Sequence, residues 1–395
     1  MSFLSFFKKK EEHSLLIDIG NGAITCALVS FAKNRPPKFL YSITKTFLVN
    51  EKPDFLRLSK GITSLLGEML ATIVKKSKNL SSVVVSLSSP WFILKSKDIS
   101  LSQEAIFVIS ESFLDSIASS EEEIFEKKLA KDFSMSSAGS FSVIEKNIIN
   151  TKINGYVVEN PIGRKTKHFD ATIFITAMLK NIEKNVVEVV SKNTHISRGK
   201  ILLHSFPLVL FSVVRDNFER SSDFMLMNIT SELTDLILIS NGTITKTASF
   251  NFGKSTIIRE MAKTLKITPE IAESQLHMYI SGKINDSSKS SIKEIFDTLE
   301  QNWIEGLKDA LTTFSPTMTL PGKVFITTDD DTAPIFIDFL KSEKIGILLD
   351  FIKNINITNI NKELLLPFYK TEPQIGENEF VVILSLFCDK FFKSQ

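Results

Sequence analysis

Cysteine is scarce in this chain. Cys26 and Cys388 are the two in 395 residues, and without a C-x-x-C pair they suggest neither a zinc site nor a disulfide framework. Both lie in apolar runs and read as small core hydrophobes. The five histidines are scattered and none forms an H-x-x-x-H pair, so no metal site is expected from them. No apolar run approaches the roughly 18 residues that mark a transmembrane helix. The opening stretch, Met1 to Lys10, lacks the apolar core and cleavage site of a signal peptide, which predicts a cytoplasmic protein. An excess of one charge is also missing. The net charge of +2 gives no global field for nucleic acid, and the basic residues are mostly lysine, not the arginine of bidentate phosphate recognition. No nucleic-acid partner is expected.

What is present is ordinary globular material: 43% hydrophobic and 23% charged residues, in a chain long enough for two or three domains with a sizeable core. Residues 15–30 read as two strands around a tight turn. Leu15, Leu16, Ile17 and Ile19 form the first apolar run, and Gly20-Asn21-Gly22 the turn, since Asn-Gly favours primed hairpin turns. A third strand is expected at 39–47, and a helix at 53–76 on the spacing of Leu56, Ile62, Leu65, Leu66, Met69 and Ile73. A buried strand follows at 82–87. This is an α/β layout. Residues 98–172 differ in texture: a hairpin-like piece, a helix near 111–131, strands at 140–149, 156–158 and 171–177, and a turn at Pro161-Ile162-Gly163. A helix at 179–192 and a short strand at 200–203 come next. Three short strands at 224–229, 233–240 and 243–250, the last two joined by Asn241-Gly242, then lead into a helix near Ser255. The order strand, turn, strand, strand, helix thus occurs twice, a weak internal duplication of the kind two halves facing across a cleft produce.

Two turns carry candidate chemistry. In Asp18-Ile19-Gly20-Asn21-Gly22-Ala23 an apolar strand delivers an acid and small residues into a hairpin. Gly20 and Gly22 would let backbone N–H groups approach a phosphate, and Asp18 could hold magnesium through water. An ordinary hairpin with a turn aspartate fits the same residues. The segment Asn228-Ile229-Thr230-Ser231-Glu232-Leu233-Thr234-Asp235 sits at the equivalent turn of the second half.

With these segments in order, the chain resembles the actin-like (ASKHA) ATPase superfamily, of the FtsA/PilM kind. The first segment is similar to the first phosphate loop of those proteins. The second keeps Thr234-Asp235, followed by Asn241-Gly242, but has Asn228 in place of an acid and Thr230, Ser231 and Glu232 where glycines would be expected. Phe252-Gly253-Lys254-Ser255-Thr256, an amphipathic helix and Ala272-Glu273 resemble a stretch of FtsA-like chains. Asn154-Gly155-Tyr156 with Asn160-Pro161-Ile162-Gly163 resembles the end of the extra domain that FtsA and PilM carry. The segment joining the halves offers His204 and Ser205 where the family often supplies a water-activating carboxylate. In the adenosine loop, Thr328-Asp329-Asp330-Asp331 follows a strand at 324–327 and replaces the usual glycines. Three carboxylates repel a polyphosphate unless metal ions intervene; they read as a solvated loop, with a metal-bridged role as the other reading. The resemblance spans residues 13–392 and rests on motif order and spacing more than on identity.

The resemblance implies a two-lobed α/β actin-like fold, a duplicated ribonuclease H-like unit, with an inserted small α+β domain of SHS2 type. Its divisions would be a tail at 1–12, a first lobe at 13–97, 176–218 and 370–395, the insertion at 98–175, and a second lobe at 219–369. The implied nucleotide site comprises Asp18, Gly20, Asn21, Gly22, Ala23, Asn228, Thr230, Ser231, Thr234, Asp235, Gly253 and Thr328, for ATP with magnesium on Asp18; no catalytic residue is assigned. Hydrolysis needs magnesium, a polarised water and closely approached phosphates, and Asp18 and Asp235 are the acids left in the two loops. The expected role is therefore a cytoplasmic scaffold with weak or lost nucleotide chemistry, serving type IV pilus assembly (PilM-like) or cell division (FtsA-like). An active ATPase or phosphotransferase of the same superfold is the alternative. Implied partners are the tail of a pilus inner-membrane protein or a division filament, with self-association. FtsA-like chains finish with a linker and a membrane helix, whereas residues 380–387 lead almost directly to Gln395 and read as a buried last helix, which favours the pilus role. Phe3, Phe6 and Phe7 share one helical face and Lys8, Lys9 and Lys10 follow. Such a segment could lie on the inner face of the cell membrane or be a disordered tail. Glu121-Glu122-Glu123 is expected on a solvated helix face or start, Trp91 where the insertion meets the first lobe, and Trp303 in the core.

Overall fold

The computed structural model describes residues 11–50, 52–76, 79–132, 140–284, 286–314, 321–348 and 355–393. The expected membrane-facing segment from Phe3 to Lys10 lies outside them. β1 (Glu11–Ile19), β2 (Ala23–Ala32) and β3 (Lys38–Thr46) form an antiparallel meander, α1 (Phe55–Ile73) crosses back, and β4 (Leu80–Leu87) returns parallel to β1. Asp54 caps α1, accepting a hydrogen bond from Arg57 N at 2.9 Å. The helix buries Leu58, Ile62, Leu66, Met69, Leu70 and Ile73 on one stripe. Leu56, expected on that stripe, is 78% exposed, because at about 100° per residue it lies roughly 200° around the helix from Leu58 and points away from the stripe.

The chain then leaves this sheet. β5 (Phe92–Val108), α2 (Glu111–Asp132), β6 (Phe141–Ile153), β7 (Tyr156–Val157) and β8 (Lys165–Leu179) build a second, antiparallel sheet ordered β5-β8-β6-β7. Where the sequence suggests a hairpin-like piece there is one long strand, paired with β8 over Phe92–Ser102 and again at Phe107 and Val108, with a bulge between. The distant pairing prevails because β8 presents Ile173, Ile175 and Ala177 to Ala118, Phe125 and Leu129 of α2 in a small core, a burial no local hairpin would provide. Glu121, expected on a solvated face, is buried and accepts from Lys97 Nζ at 2.7 Å.

α3 (Lys180–Thr194), β9 (Ile201–Ser205) and α4 (Phe206–Asn217) bring the chain back, and β9 completes the first sheet in the order β3-β2-β1-β4-β9. The second half follows: β10 (Phe224–Ile229), β11 (Thr234–Ser240), β12 (Thr243–Phe250), α5 (Lys254–Leu265), α6 (Pro269–Ile280), α7 (Asp286–Thr312), β13 (Lys323–Thr327), α8 (Ala333–Lys341), α9 (Glu343–Leu348), β14 (Asn356–Asn359), α10 (Lys362–Leu365) and α11 (Glu379–Lys393). Its sheet, β12-β11-β10-β13-β14, repeats the first in order and in the sense of every pairing. The repeated motif in the sequence is thus a repeated topology.

Helix α4 is buried without exception over Phe206–Val214, and α11 is buried on every side from Glu379 to Asp389 and mostly apolar over that stretch. A helix of that kind belongs in an interior, and both pack between the two five-stranded sheets in one shared core. Trp303 is fully buried in the second lobe against Phe250, Phe336 and Phe339. Trp91 is buried in the first lobe, where its Nε1 donates to Gly20 O at 3.0 Å. Cys26 and Cys388 are buried free thiols. Among the described residues no helix is long and apolar enough to cross a membrane.

Candidate functional site

β1 and β10 occupy matching places in the two sheets, so the loops after them, 20–22 and 230–233, meet at the bottom of the interlobe cleft. In the first loop, Gly20 N donates to Ala23 O at 2.9 Å and Phe47 N donates to Gly22 O at 2.8 Å. Neither Asn21 nor the flanking glycines have positive φ, so this is not the primed turn that Asn-Gly predicts. Asn241-Gly242 is such a turn, with φ of 53° and 73°.

The difference lies in what Asn21 touches. It is 1% exposed. Its Nδ2 donates to Ser89 O at 2.9 Å and to Thr230 Oγ1 at 2.7 Å, and its Oδ1 accepts from Glu232 N at 3.1 Å. Both amide donors and the carbonyl are therefore used, two of these bonds crossing to the second lobe. Gly22 lies directly against Ser231: a Cβ there would sit 1.7 Å from Ser231 Oγ and 2.2 Å from its Cβ. The two loops are in van der Waals contact.

The second loop also uses the N-terminus of α5. Lys254 N donates to Thr230 O at 3.3 Å and Ser255 N to Ser231 O at 2.7 Å. A helix N-terminus offers free N–H groups to anions; here these two are taken by protein carbonyls. Gly253 makes this approach feasible, since a Cβ on it would fall 2.1 Å from Thr230 O. Glu232, standing where a glycine was expected, is buried and held by Arg259, whose Nη1 and Nη2 donate to its two carboxylate oxygens at 3.0 and 2.6 Å. Nothing in the sequence marks Arg259, because a single arginine on an amphipathic helix carries no motif.

The remaining sequence-predicted site residues are mostly buried under these loops. Asn228 and Thr234 are fully buried. Thr234 Oγ1 donates to Phe252 O at 2.7 Å, and Asn228 Nδ2 lies 3.4 Å from Asp235 Oδ2. Asp235 accepts from Ser249 Oγ at 2.6 Å, and burial raises its pKa. Thr328 is buried just beyond β13. Asp18 is 4% exposed and accepts from Ser86 Oγ at 2.8 Å; burial pushes its carboxyl up to about 7, opposed by that hydrogen bond and reinforced by the charge of Asp329. Asp18, Gly20, Asn21, Gly22, Ala23, Thr230 and Ser231 do come together, around a cavity of about 30 Å³, room for about one water. Among the described residues no group of three or more His, Cys, Asp or Glu is placed to hold a metal ion.

Above this point the cleft opens to about 370 Å³. Asp329, Asp330 and Asp331 form its acidic wall, with Asp330 exposed and the other two half-buried. Asp331 accepts from Lys254 Nζ at 2.8 Å and lies 3.5 Å from His277 Nδ1, while Asp330 lies 3.9 Å from Lys362. Burial raises Asp329 to about 6 in spite of Lys254 nearby. His204 and Ser205 lie elsewhere. His204 Nδ1 is 2.6 Å from Glu145 Oε1, and Ser205 Oγ donates to Glu145 Oε2 at 2.8 Å. That buried network ties β6 of the second sheet to β9 of the first lobe.

The Asp18 environment makes a signed prediction. Its carboxyl ionises near 3.8 when unfolded and near 7 when folded. Between those values the folded chain keeps a proton that the unfolded chain has lost, so Asp18 contributes less stability as pH rises through that window. Asp18→Asn keeps an acceptor for Ser86 and removes this loss. Its stability gain over the native chain is expected to be greater at pH 8 than at pH 5 by on the order of 2 kcal/mol. Urea denaturation at both pH values checks this, and equal gains would contradict it.

No family model matches the chain, and no curated protein matches it in sequence. Its fold is the actin-like one. A chain of the PilM–PilN type IV pilus biogenesis complex matches it with a TM-score of 0.63 at 13% identity, over 96% of this chain and 98% of that one. Ethanolamine utilization protein EutJ from Carboxydothermus hydrogenoformans gives 0.44 at 12% identity, over 97% and 91%. A protein of actin-like ATPase fold and unknown function from Bacteroides thetaiotaomicron gives 0.43 at 10%, over 98% and 99%. At such identities the likeness is one of fold, and the two lower scores say nothing about function.

Proposed function

We propose that this chain is a PilM-like scaffold that works through protein surfaces, with a cleft closed by its own side chains instead of a nucleotide. The observation that carries this reading is Asn21, which bonds across from the first loop to Thr230 and Glu232 of the second where a polyphosphate would have to lie. The occupied N-terminus of α5 and the acidic wall at 329–331 act in the same direction. In this reading the sheet of β5–β8 is the inserted SHS2-type domain, and the partner is the tail of a membrane protein of the machine, met at the inner face of the cell membrane. A groove between β6 and β9, lined by Val143, Asn147, Leu202 and His204, offers the β6 edge before Thr151, since β7 pairs with β6 at Lys152 and Ile153 and Val158 N donates to Thr151 O; an extended peptide can add to such an edge.

Isothermal titration of the full chain with Mg-ATP tests the closed cleft. The expected result is no saturable binding tighter than about 1 mM and no phosphate release. Micromolar affinity with steady release of phosphate would restore the ATPase alternative.

A further inference from the structure

One end of the first sheet carries a row of cations. β1 begins at Glu11, opposite Ala32 of β2, and its His13 pairs with Leu80 of β4. The β2–β3 turn at 33–37 and the helical turn Val74–Lys76 before β4 therefore flank the start of β1 on either side. The first turn presents Lys33 and Arg35, the second Lys75 and Lys76, and all four are exposed. Lys38 opens β3 and Lys370 is bridged to it, with Phe39 N donating to Lys370 O at 2.8 Å; both lysines are exposed. Among the described residues none of these six has an acidic partner, and Lys76 Nζ lies over the Tyr41 ring at 5.5 Å. Lys45, further along β3, contrasts with them in pairing with Glu68. The acids of this end do not compensate. Glu12 is 4% exposed, and Glu372, two residues from Lys370, accepts from Gln374.

We infer that this end of the first lobe is a docking face for the anionic headgroups of a lipid bilayer. The whole chain has a net charge of only +2. With six cations gathered here, the rest of the molecule is acidic on balance, so an anionic plane attracts this end and repels the others. Five of the six are lysines, point charges suited to mobile headgroups, not the fork of an arginine that reads a fixed phosphate. Turn tips at the end of a sheet project outward and meet a plane, whereas a nucleic-acid strand lies in a basic groove with stacking aromatics. The sequence just before Glu11 is Phe6-Phe7-Lys8-Lys9-Lys10. Apolar residues followed by cations combine acyl-chain burial with headgroup attraction, and this stretch joins the described fold at the same end. β1 runs roughly 30 Å from here to the loop at 20–22, so a protein docked this way keeps its interlobe cleft on the side away from the bilayer. The inference rests on the scaffold reading for the membrane location alone, and its test does not involve the cleft. Vesicle binding together with tight Mg-ATP binding would remove the closed cleft and leave this face standing; binding of neither would do the reverse.

The experiment is flotation of the full chain with vesicles of phosphatidylcholine containing about 30% phosphatidylglycerol, beside vesicles of phosphatidylcholine alone. Binding is expected on the anionic vesicles only, and is expected to be lost when sodium chloride rises from about 0.05 to about 0.5 M, as the Debye length shortens. Each cation near an anionic surface contributes a factor of about five, so Lys33→Gln, Arg35→Gln and Lys75→Gln together should lower the bound-to-free ratio by about a hundredfold. A control with the same loss of charge, Lys283→Gln, Lys308→Gln and Lys341→Gln, takes exposed lysines of the second lobe and should lower it by less than about threefold. All six positions are exposed, so both triple variants keep the fold, and matching melting curves verify it. No binding to anionic vesicles, equal binding to neutral ones, or equal loss in the two triple variants would each overturn the inference. Retention of a DNA duplex of about 20 base pairs at a salt concentration where the vesicles no longer bind, lost in the first triple variant, would assign the face to nucleic acid instead.

Discussion

Replacing Arg259 with alanine should cost about 3–5 kcal/mol of stability, the range for breaking a buried ion pair on one side. The Arg259 and Glu232 side chains are 12% and 8% exposed, so solvent cannot replace the lost partner well. Arg259 forms a two-pronged contact with the Glu232 carboxylate, and its removal leaves that charge buried on the loop that faces Asn21. The Glu232 backbone N–H donates to Asn21 Oδ1, so the damage should spread to the interlobe contact. Hydrogen exchange at residues 19–23 and 229–233 is expected to speed up together with the fall in melting temperature. A double variant, Arg259→Met with Glu232→Met, removes both charges and should recover most of the loss. Arg259→Ala within about 1 kcal/mol of the native chain would mean that the pair is not buried as described.

Gly22→Ala and Gly253→Ala should each cost about 3 kcal/mol, at the upper end for overpacking, but they should respond differently to a second change. At Gly22 the obstacle is the Ser231 side chain, and Ser231 Cα is 3.6 Å away, an ordinary contact. Ser231→Gly therefore makes room, and the double variant should return to within about 1 kcal/mol of the native chain. At Gly253 the obstacles are backbone atoms, Thr230 O at 2.1 Å and Ser231 O at 2.6 Å. Ser231→Gly gives no relief there. Gly253 has φ of −157°, an extended value open to any residue, so its requirement is space alone. If the loops stood apart as a phosphate site requires, Gly22→Ala would be tolerated without the second change. The pair of melting curves thus reports directly on whether the cleft is closed.

Much of the architecture is legible in the sequence. Apolar runs around 15–31 and 224–250 announce the two meanders, and the helical spacing of Ile62, Leu66, Met69 and Ile73 announces α1. These patterns are local, and each is the face that a sheet or helix must bury. The structure confirms Asn241-Gly242 as a primed hairpin turn, because both of its residues are free to take positive φ. The similar-looking Asn21-Gly22 is not one, because its amide is drawn into bonds with Ser89 and Thr230. A distant partner also overrides the local pattern in β5, which reads as a hairpin in the sequence but pairs with β8, set by the core over α2. β14 has four residues, too few for a pattern to emerge.

By itself the sequence determined the duplicated α/β order, the buried cysteines and tryptophans, and the set of loop residues that would gather between two lobes. Tertiary structure alone decided what those residues do once gathered. Asn21 and Thr230 are 209 positions apart, and no local rule of propensity or turn chemistry links them. Their contact exists because two matching sheets pack α4 and α11 between them and bring equivalent loop tips to one point. At that point burial decides charge and hydrogen bonding. Asn21 spends its amide on the opposite loop, Glu232 needs Arg259, and burial raises the carboxyls of Asp329 and Glu379. The contact between the two loops is therefore a property of the packing, carried by residues whose identities the sequence displays and whose partners it does not.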